Sequence, residues 1–528
     1  MGGRRVAVLV TILLALVGCS VDDAQIERWK HTQRGPRKIT TVLVEARYPT
    51  ALRVHAARAL IEMRHPNASG LDLLQAGMGS MAEADRETVV HALLPELQNM
   101  MTTAAPNPAG GSATQGPTDG QIRAKDAAYI LLRGDGRNAF TNAEDRAALS
   151  AAVLDWILVD FNTRALAGAY TAEQIVQAVG PSAAERLTAA IQFTDNAIPV
   201  ALQVSQLIKQ VGTPAGRQGA AARVVEVASE VSSPQATDRL KASARARLQG
   251  ANREITEQEV TRSAEFLRER YLVLLFQALQ ALEQPNGTEY LLRVAGTATA
   301  PVERRKNALA AVAGQMTSAN VQALFAIATC EPQVPGPGVN VTCDLDLRNV
   351  AVDRLGETRD RSILPRLYQM FDAANGGARD NSFTLRWKLG EAILKLGGQG
   401  TLAEFMQHLS APRPSGFAGY TFSELNGEAQ ALGDLTPPPR DALRAYVTPT
   451  NNVNVRVLAM LFLGIKGEAR DVATLQQYAS ETAPAVPGEG WGDFTPPLTN
   501  VGAVAARARD GLQNALRTAQ SAAPAAQP

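Results

Sequence analysis

One short pattern constrains this chain more than any other feature, because it returns. Arg-x-x-Ala-x-x-x-(Leu or Val) occurs at Arg53/Ala56/Leu60, Arg217/Ala220/Val224, Arg305/Ala308/Val312, Arg348/Ala351/Leu355 and Arg456/Ala459/Leu463. Spacings of three and four place each trio on one helical face. Alanine admits a neighbouring helix, leucine fills the space beside it, and arginine is expected at the edge with its stem along the core. Arg305 and Arg348 are 43 residues apart, and Arg217 and Arg305 are 88 apart, which is two such units. A weaker copy, Ala392-x-x-x-Leu396-Gly397, follows Ala351 by 41 residues. A period of 40–44 residues suits two helices and two turns, the mark of stacked repeats.

The stretch "LRNVAVDRLGETRDRSILPRL" (347–367) shows one unit. A first helix runs to Leu355, and Gly356 is placed to take the left-handed conformation that closes a helix. A second apolar helix follows through Ile363, Leu364 and Leu367. The design returns in "VRVLAMLFLGIKGEARDVATLQQY" (455–478). Alanine, the best helix former, is abundant throughout, and strand-like runs are nearly absent. The expected fold class is all-α, an α-solenoid of antiparallel helix pairs interrupted by Pro/Gly-rich loops. Capping-box spacings at Ser80/Glu83, Thr141/Glu144, Thr171/Gln174, Ser182/Glu185 and Thr256/Glu259 extend helix into regions where the repeat is weak.

These residues resemble the HEAT repeat family, in particular its bilin-lyase-like subtype. Arg348, Ala351, Leu355, Gly356, Asp360 and Leu367 follow that subtype's order of basic residue, Ala-rich helix, Leu-Gly, spaced Asp and second helix. The first helix is matched again by "RVHAARALIEM" (53–63). A solenoid of this kind makes an extended surface from adjacent repeats, so a binding scaffold is expected; the subtype also includes bilin lyases. The lyase activity is not carried over, since an exported protein would not meet cytoplasmic phycobiliproteins.

Export is expected from "MGGRRVAVLVTILLALVGCS". Two arginines precede an apolar run too short for a membrane span of about 20 residues but suited to a secretory signal. Its Leu-x-Gly-Cys ending resembles the lipobox of bacterial lipoproteins, which implies acylation of Cys19 and removal of residues 1–18. Ser20 after the cysteine favours an outer membrane site facing the periplasm over the inner membrane.

The organisation read along the chain is a signal peptide (1–18), N-terminal HEAT-like helices (19–101), a flexible linker or loop (102–121), and a divergent helical middle (122–299). HEAT-like repeats (300–479), a loop (480–500), a C-terminal helix (501–519) and a disordered tail (520–528) complete it. Cys330 and Cys343 bracket the insertion "EPQVPGPGVNVT" and are the two thiols left once Cys19 is lipidated. In an oxidising compartment they are expected to form a disulfide.

Chemistry is harder to find. The five histidines show no i,i+4 pair and no His-Glu-x-x-His, and Cys-x-x-Cys is absent, so no metal, cofactor or catalytic residue is nominated. His55 reads as packing. Gly77-x-Gly79-Ser80 lacks the lysine of a phosphate loop. Asp155 and Asp160, five apart, fall on different helix faces rather than forming an acid/base pair. With 52 basic and 51 acidic residues the chain has no global field for nucleic acid, and no small-molecule substrate is inferred. The expected partner is a cell-envelope protein, with Phe417, Tyr420 and Phe422 as candidate anchors in an inserted loop, although folding back onto the array is favoured over exposure. An envelope enzyme with a dispersed active site is the competing reading. The run "RWKHTQRGPRK" (28–38) reads either as a solvated first helix and turn or as a contact for anionic headgroups.

Overall fold

A computed structural model describes residues 21–102, 116–134, 140, 142–249, 255–314, 316–330, 344–374, 383–413, 419–485 and 498–522. Among them the secondary structure is helical, with two isolated β-bridges, His65 with Ala68 and Pro484 with Asn500. The chain divides into two compact units, Met1–Leu282 and Glu283–Pro528.

The first unit holds α1 (Asp23–Trp29), α2 (Gly35–Val44), α3 (Thr50–Glu62), α4 (Gly70–Ser80), α5 (Glu83–Thr102), α6 (Asp119–Arg133) and α7 (Ala143–Val159). It continues with α8 (Phe161–Arg164), α9 (Ala172–Val179), α10 (Ala183–Ala189), α11 (Ala201–Val211), α12 (Pro214–Ser232), α13 (Ala236–Leu248) and α14 (Glu257–Leu282). Successive helices alternate between two layers. Helices α3, α5, α7, α10 and α12 pack in order along one layer, and α2, α4, α6, α9 and α11 along the other. The alternation stops at α14, which lies against α11, α12 and α13 together.

The second unit repeats the plan more regularly. One layer is α16 (Val302–Ala310), α18 (Leu345–Gly356), α20 (Phe383–Gly397), α22 (Phe422–Gly433), α24 (Val453–Lys466) and α26 (Val501–Ala522), each packed on the next. Before and between them in sequence come α15 (Pro285–Gly296), α17 (Ser318–Thr329), α19 (Leu364–Ala373), α21 (Leu402–Ser410), α23 (Arg440–Tyr446) and α25 (Ala469–Tyr478). The fold is an all-α array of antiparallel helix pairs, as the period requires.

The repeated trio sits where its spacing puts it. Ala56, Ala220, Ala308, Ala351 and Ala459 are wholly buried, as are Leu60, Val224, Leu355 and Leu463. The arginines depart from expectation. Arg53, Arg305 and Arg456 lie inside the core rather than at its edge, because each guanidinium satisfies carbonyls that the preceding helix leaves open at its C-terminus. Arg53 Nε donates to Leu43 O at 2.9 Å, Arg305 Nε to Ala295 O at 2.8 Å, Arg348 Nε to Ala328 O at 2.8 Å and Arg456 Nε to Val447 O at 3.1 Å. A cation at a helix C-terminus also complements the macrodipole. Arg53 and Arg456 then reach forward to acids that precede or open the next helix of their layer, Asp85 and Glu481. Arg217 is the exception, half-buried with Nε unpartnered.

Gly356 also corrects the sequence reading. It is the last residue of α18 and keeps ordinary helical geometry; the left-handed residue in this turn is Arg359, at φ 60°. A Cβ at Gly356 would lie 3.0 Å from Ala392 Cα, so glycine is there to let α18 and α20 approach. Gly464 does the same for α24 against α26, where a Cβ would meet Ala508 Cα at 2.9 Å. Asp360 caps the turn that opens the second helix, accepting from Ser362 N at 3.0 Å.

Candidate functional site

The first unit carries a concavity of about 940 Å³ where α7 and α10 lie side by side in their layer. The one-turn helix α8 and the segment 192–200 complete its lining. Among the lining residues Leu154, Phe161 and Val200 are buried and apolar. Asp155, Glu185, Arg186 and Asp195 are exposed and polar. Val159, also lining, is 64% exposed, which is unusual for a large aliphatic side chain in this chain.

Local sequence explains the shape. Helix α7 presents Ala147 and Ala151 to the cavity, and α10 presents Ala189, so small side chains leave a volume between two neighbouring backbones. The Arg186 guanidinium grips the Asp155 carboxylate through Nε and Nη2, fixing α7 to α10 at the rim. Asp195 accepts from Tyr271 Oη at 2.7 Å and Ser243 Oγ at 3.0 Å, which holds the 192–200 segment against α13 and α14. Asp155 and Asp160 both line the cavity. Asp155 stands on α7 and Asp160 at the turn between α7 and α8, and Asp155 is held by Arg186. An apolar interior with a fixed polar rim suits an inserted side chain and hydrogen bonds around it.

The second unit buries a charged cluster instead. Arg386 and Glu424 are fully buried and share two hydrogen bonds, 2.6 and 2.9 Å, and Arg386 also donates to Gly419 O at 2.9 Å. Its guanidinium stacks 4.3 Å over the Tyr420 ring. Arg413 donates to the Tyr420 hydroxyl and to Asp372 O at the end of α19. Glu428, one turn after Glu424, is wholly buried with neither oxygen hydrogen-bonded. Burial above all, and then the Glu424 charge, push its carboxyl well above the usual range. It fits only because Gly390 opposite has no side chain: a Cβ there would lie 2.5 Å from Glu428 Oε1. This cluster clamps the segment before α22, with Arg386, Glu424 and Glu428 fully buried.

The residues nominated from sequence separate accordingly. Tyr420 is 2% exposed and ringed by Arg386 and Arg413, so it is core rather than an accessible anchor. Phe422 is half-buried beneath Arg507. Phe417, Cys19 and Cys343 lie outside the described residues; Cys330 occupies the left-handed cap that ends α17. His55 packs against Glu27 at 3.0 Å. Gly77 and Gly79 fall within α4, and Ser80 Oγ donates to Gly77 O. Groups of three or more His, Cys, Asp or Glu able to hold a metal are absent among the described residues. No described helix is long and apolar enough to cross a membrane.

Sequence reasoning missed the cavity, whose lining alanines look like the alanines of every other helix. It also missed Arg146 and Arg386, which occupy the repeat arginine's place with leucine where the pattern demands alanine. Arg146 donates to Leu132 O and Ala178 O, at the ends of α6 and α9. An Arg-x-x-(apolar)-x-x-x-(apolar) pattern finds both.

No family model and no curated protein matches the chain. Among solved structures it is similar to a crystal structure described as an engineered protein, at 14% identity and TM-score 0.24, covering 90% of this chain and 98% of that one. It is also similar to importin beta crystallised in ammonium sulfate, at 11% identity and TM-score 0.25. That match covers 94% of this chain, which spans 64% of the importin beta chain. The fold assignment made above stands on the order and packing of the chain's own helices.

Proposed function

We propose that this chain is a lipid-anchored, extracytoplasmic scaffold of HEAT-like helix pairs that binds a cell-envelope protein without catalysing a reaction. The observation that carries the binding role is the α7/α10 concavity, an apolar interior rimmed by fixed polar groups on a repeat array. Arrays of this kind present extended surfaces built from adjacent repeats. The carboxyl most displaced toward neutrality, Glu428, is sealed inside the second unit and does not line the cavity, which supports binding over an acid/base role.

The lipid anchor and the envelope location rest on the lipobox-like run ending at Cys19. Labelled palmitate should enter the protein in cells, and Cys19→Ala should abolish incorporation. For the binding role, Ala151→Trp fills the cavity from α7 while leaving the layer contacts in place. Partner recovered with the wild type should be lost with this variant at unchanged helix content. Unlabelled protein overturns the anchor; full recovery with the filled cavity overturns the binding site.

A further inference from the structure

The first helices of the array carry a cationic surface that nothing in the fold consumes. From Arg28 to Val44 the chain has seventeen residues without an aspartate or glutamate. On α2 and its cap, Arg34, Arg37, Lys38 and Thr41 are exposed at successive three- and four-residue spacings, a single helical stripe. The opposite stripe, Pro36, Ile39, Val42 and Leu43, is buried. Arg34 and Arg37 make no ion pair among the described residues, and Lys38 Nζ sits 5.1 Å over the Trp29 ring. Carboxylates on the helices packed against α2 are mostly occupied elsewhere. Glu27 holds Lys30 and His55, and Glu62 holds Lys30 and Arg58. Asp22 caps the far end of α1, beside Asp23. Asp72 lies in the first turn of α4.

We propose that this stripe docks on the anionic headgroups of a phospholipid bilayer. Arginine and lysine side chains at a charged surface, with a tryptophan beside them, match the polar zone of a membrane in both charge and amphipathicity. The geometry rests on the lipid-anchor reading. Asp23 follows Cys19 by four positions, at most about 14 Å of extended chain, so an acyl chain on Cys19 holds α1 and α2 near the headgroups. A nucleic acid is disfavoured, because outside this stripe the charges of the chain cancel.

The test uses the chain from residue 19 onward with Cys19→Ser, which cannot be acylated and keeps every described helix. Co-sedimentation is measured with vesicles of phosphatidylcholine alone and of phosphatidylcholine mixed with phosphatidylglycerol. The protein should sediment with the anionic vesicles alone, and less so as salt is raised. Arg34→Gln, Arg37→Gln and Lys38→Gln together should lower the partition coefficient about a hundredfold. Removing three exposed cations on α13 and α14, Arg245, Arg262 and Arg270, should leave it unchanged. Absent binding, an equal loss in that control, or displacement from the vesicles by equimolar duplex DNA would overturn the proposal. Circular dichroism checks that the variants fold. Palmitate labelling of the full chain reports on the anchor separately, so either reading can fail while the other stands.

Discussion

At the scale of residues, the repeat arginine at positions 53, 305, 348 and 456 is a joint rather than a surface group. It ends one helix and in several repeats holds an acid that precedes or opens another. Arg386 is buried more completely still and holds Glu424 of α22, with both side chains closed to solvent. Arg386→Met should therefore destabilise the protein by about 3–5 kcal/mol, since it leaves an uncompensated buried carboxylate. Adding Glu424→Leu should recover most of that loss; denaturant titration of the single and double variants checks both. The glycines act by absence. Gly464→Ala puts a Cβ 2.9 Å from the Ala508 backbone, where neither helix can yield by rotating a side chain. A loss of about 1–3 kcal/mol is expected from such overpacking, read from the same titration. Both roles escape the sequence for one reason. Arginine and glycine have familiar meanings at a helix edge and a helix end, and only the neighbouring helix reveals that this chain uses them inside.

At the scale of elements, helix starts were partly legible. Thr171 with Gln174 and Thr256 with Glu259 form the reciprocal bonds their spacing implies. Ser80 instead ends α4, and Ser182 makes no capping bond. The boxes at Thr118/Gln121 and Thr421/Glu424 were overlooked because each borders a Pro/Gly-rich loop. The second of these also carries a pH dependence through α22. The Glu428 carboxyl is neutral in the folded chain across a range where the unfolded chain ionises it. Its favourable contribution is fully present below the ordinary glutamate range and is lost as pH rises toward the raised value. Thermal midpoints should fall with rising pH above that range, and Glu428→Gln should flatten the fall. A variant as pH-sensitive as the wild type would mean that another group sets the slope.

At the scale of the whole molecule, the period was plain over 300–479 and faint over 122–299. The structure gives the reason. In the second unit three of the six helix pairs keep the arginine, the alanine and the leucine or valine, at Arg305, Arg348 and Arg456, so the pattern survives in sequence. In the first unit Arg146 is followed by Leu149 rather than alanine, and the 26-residue α14 packs on three helices at once, so the two-helix rhythm is lost before the packing is. The cavity proposed as the binding site lies in that divergent region, between α7 and α10. The proposed export adds a separate expectation: denatured, unreduced protein should show no free thiol at Cys330 or Cys343, and two titratable thiols would refute the bridge between them.

The binding claim is tested most directly by photo-crosslinking in living cells from Val159, which lines the cavity and is 64% exposed. A photoreactive residue at that position should give one discrete adduct with an envelope protein, and Ala151→Trp in the same chain should abolish it. No adduct from Val159, or an adduct that persists when the cavity is filled, would contradict the assignment of this array as a scaffold that binds through α7 and α10.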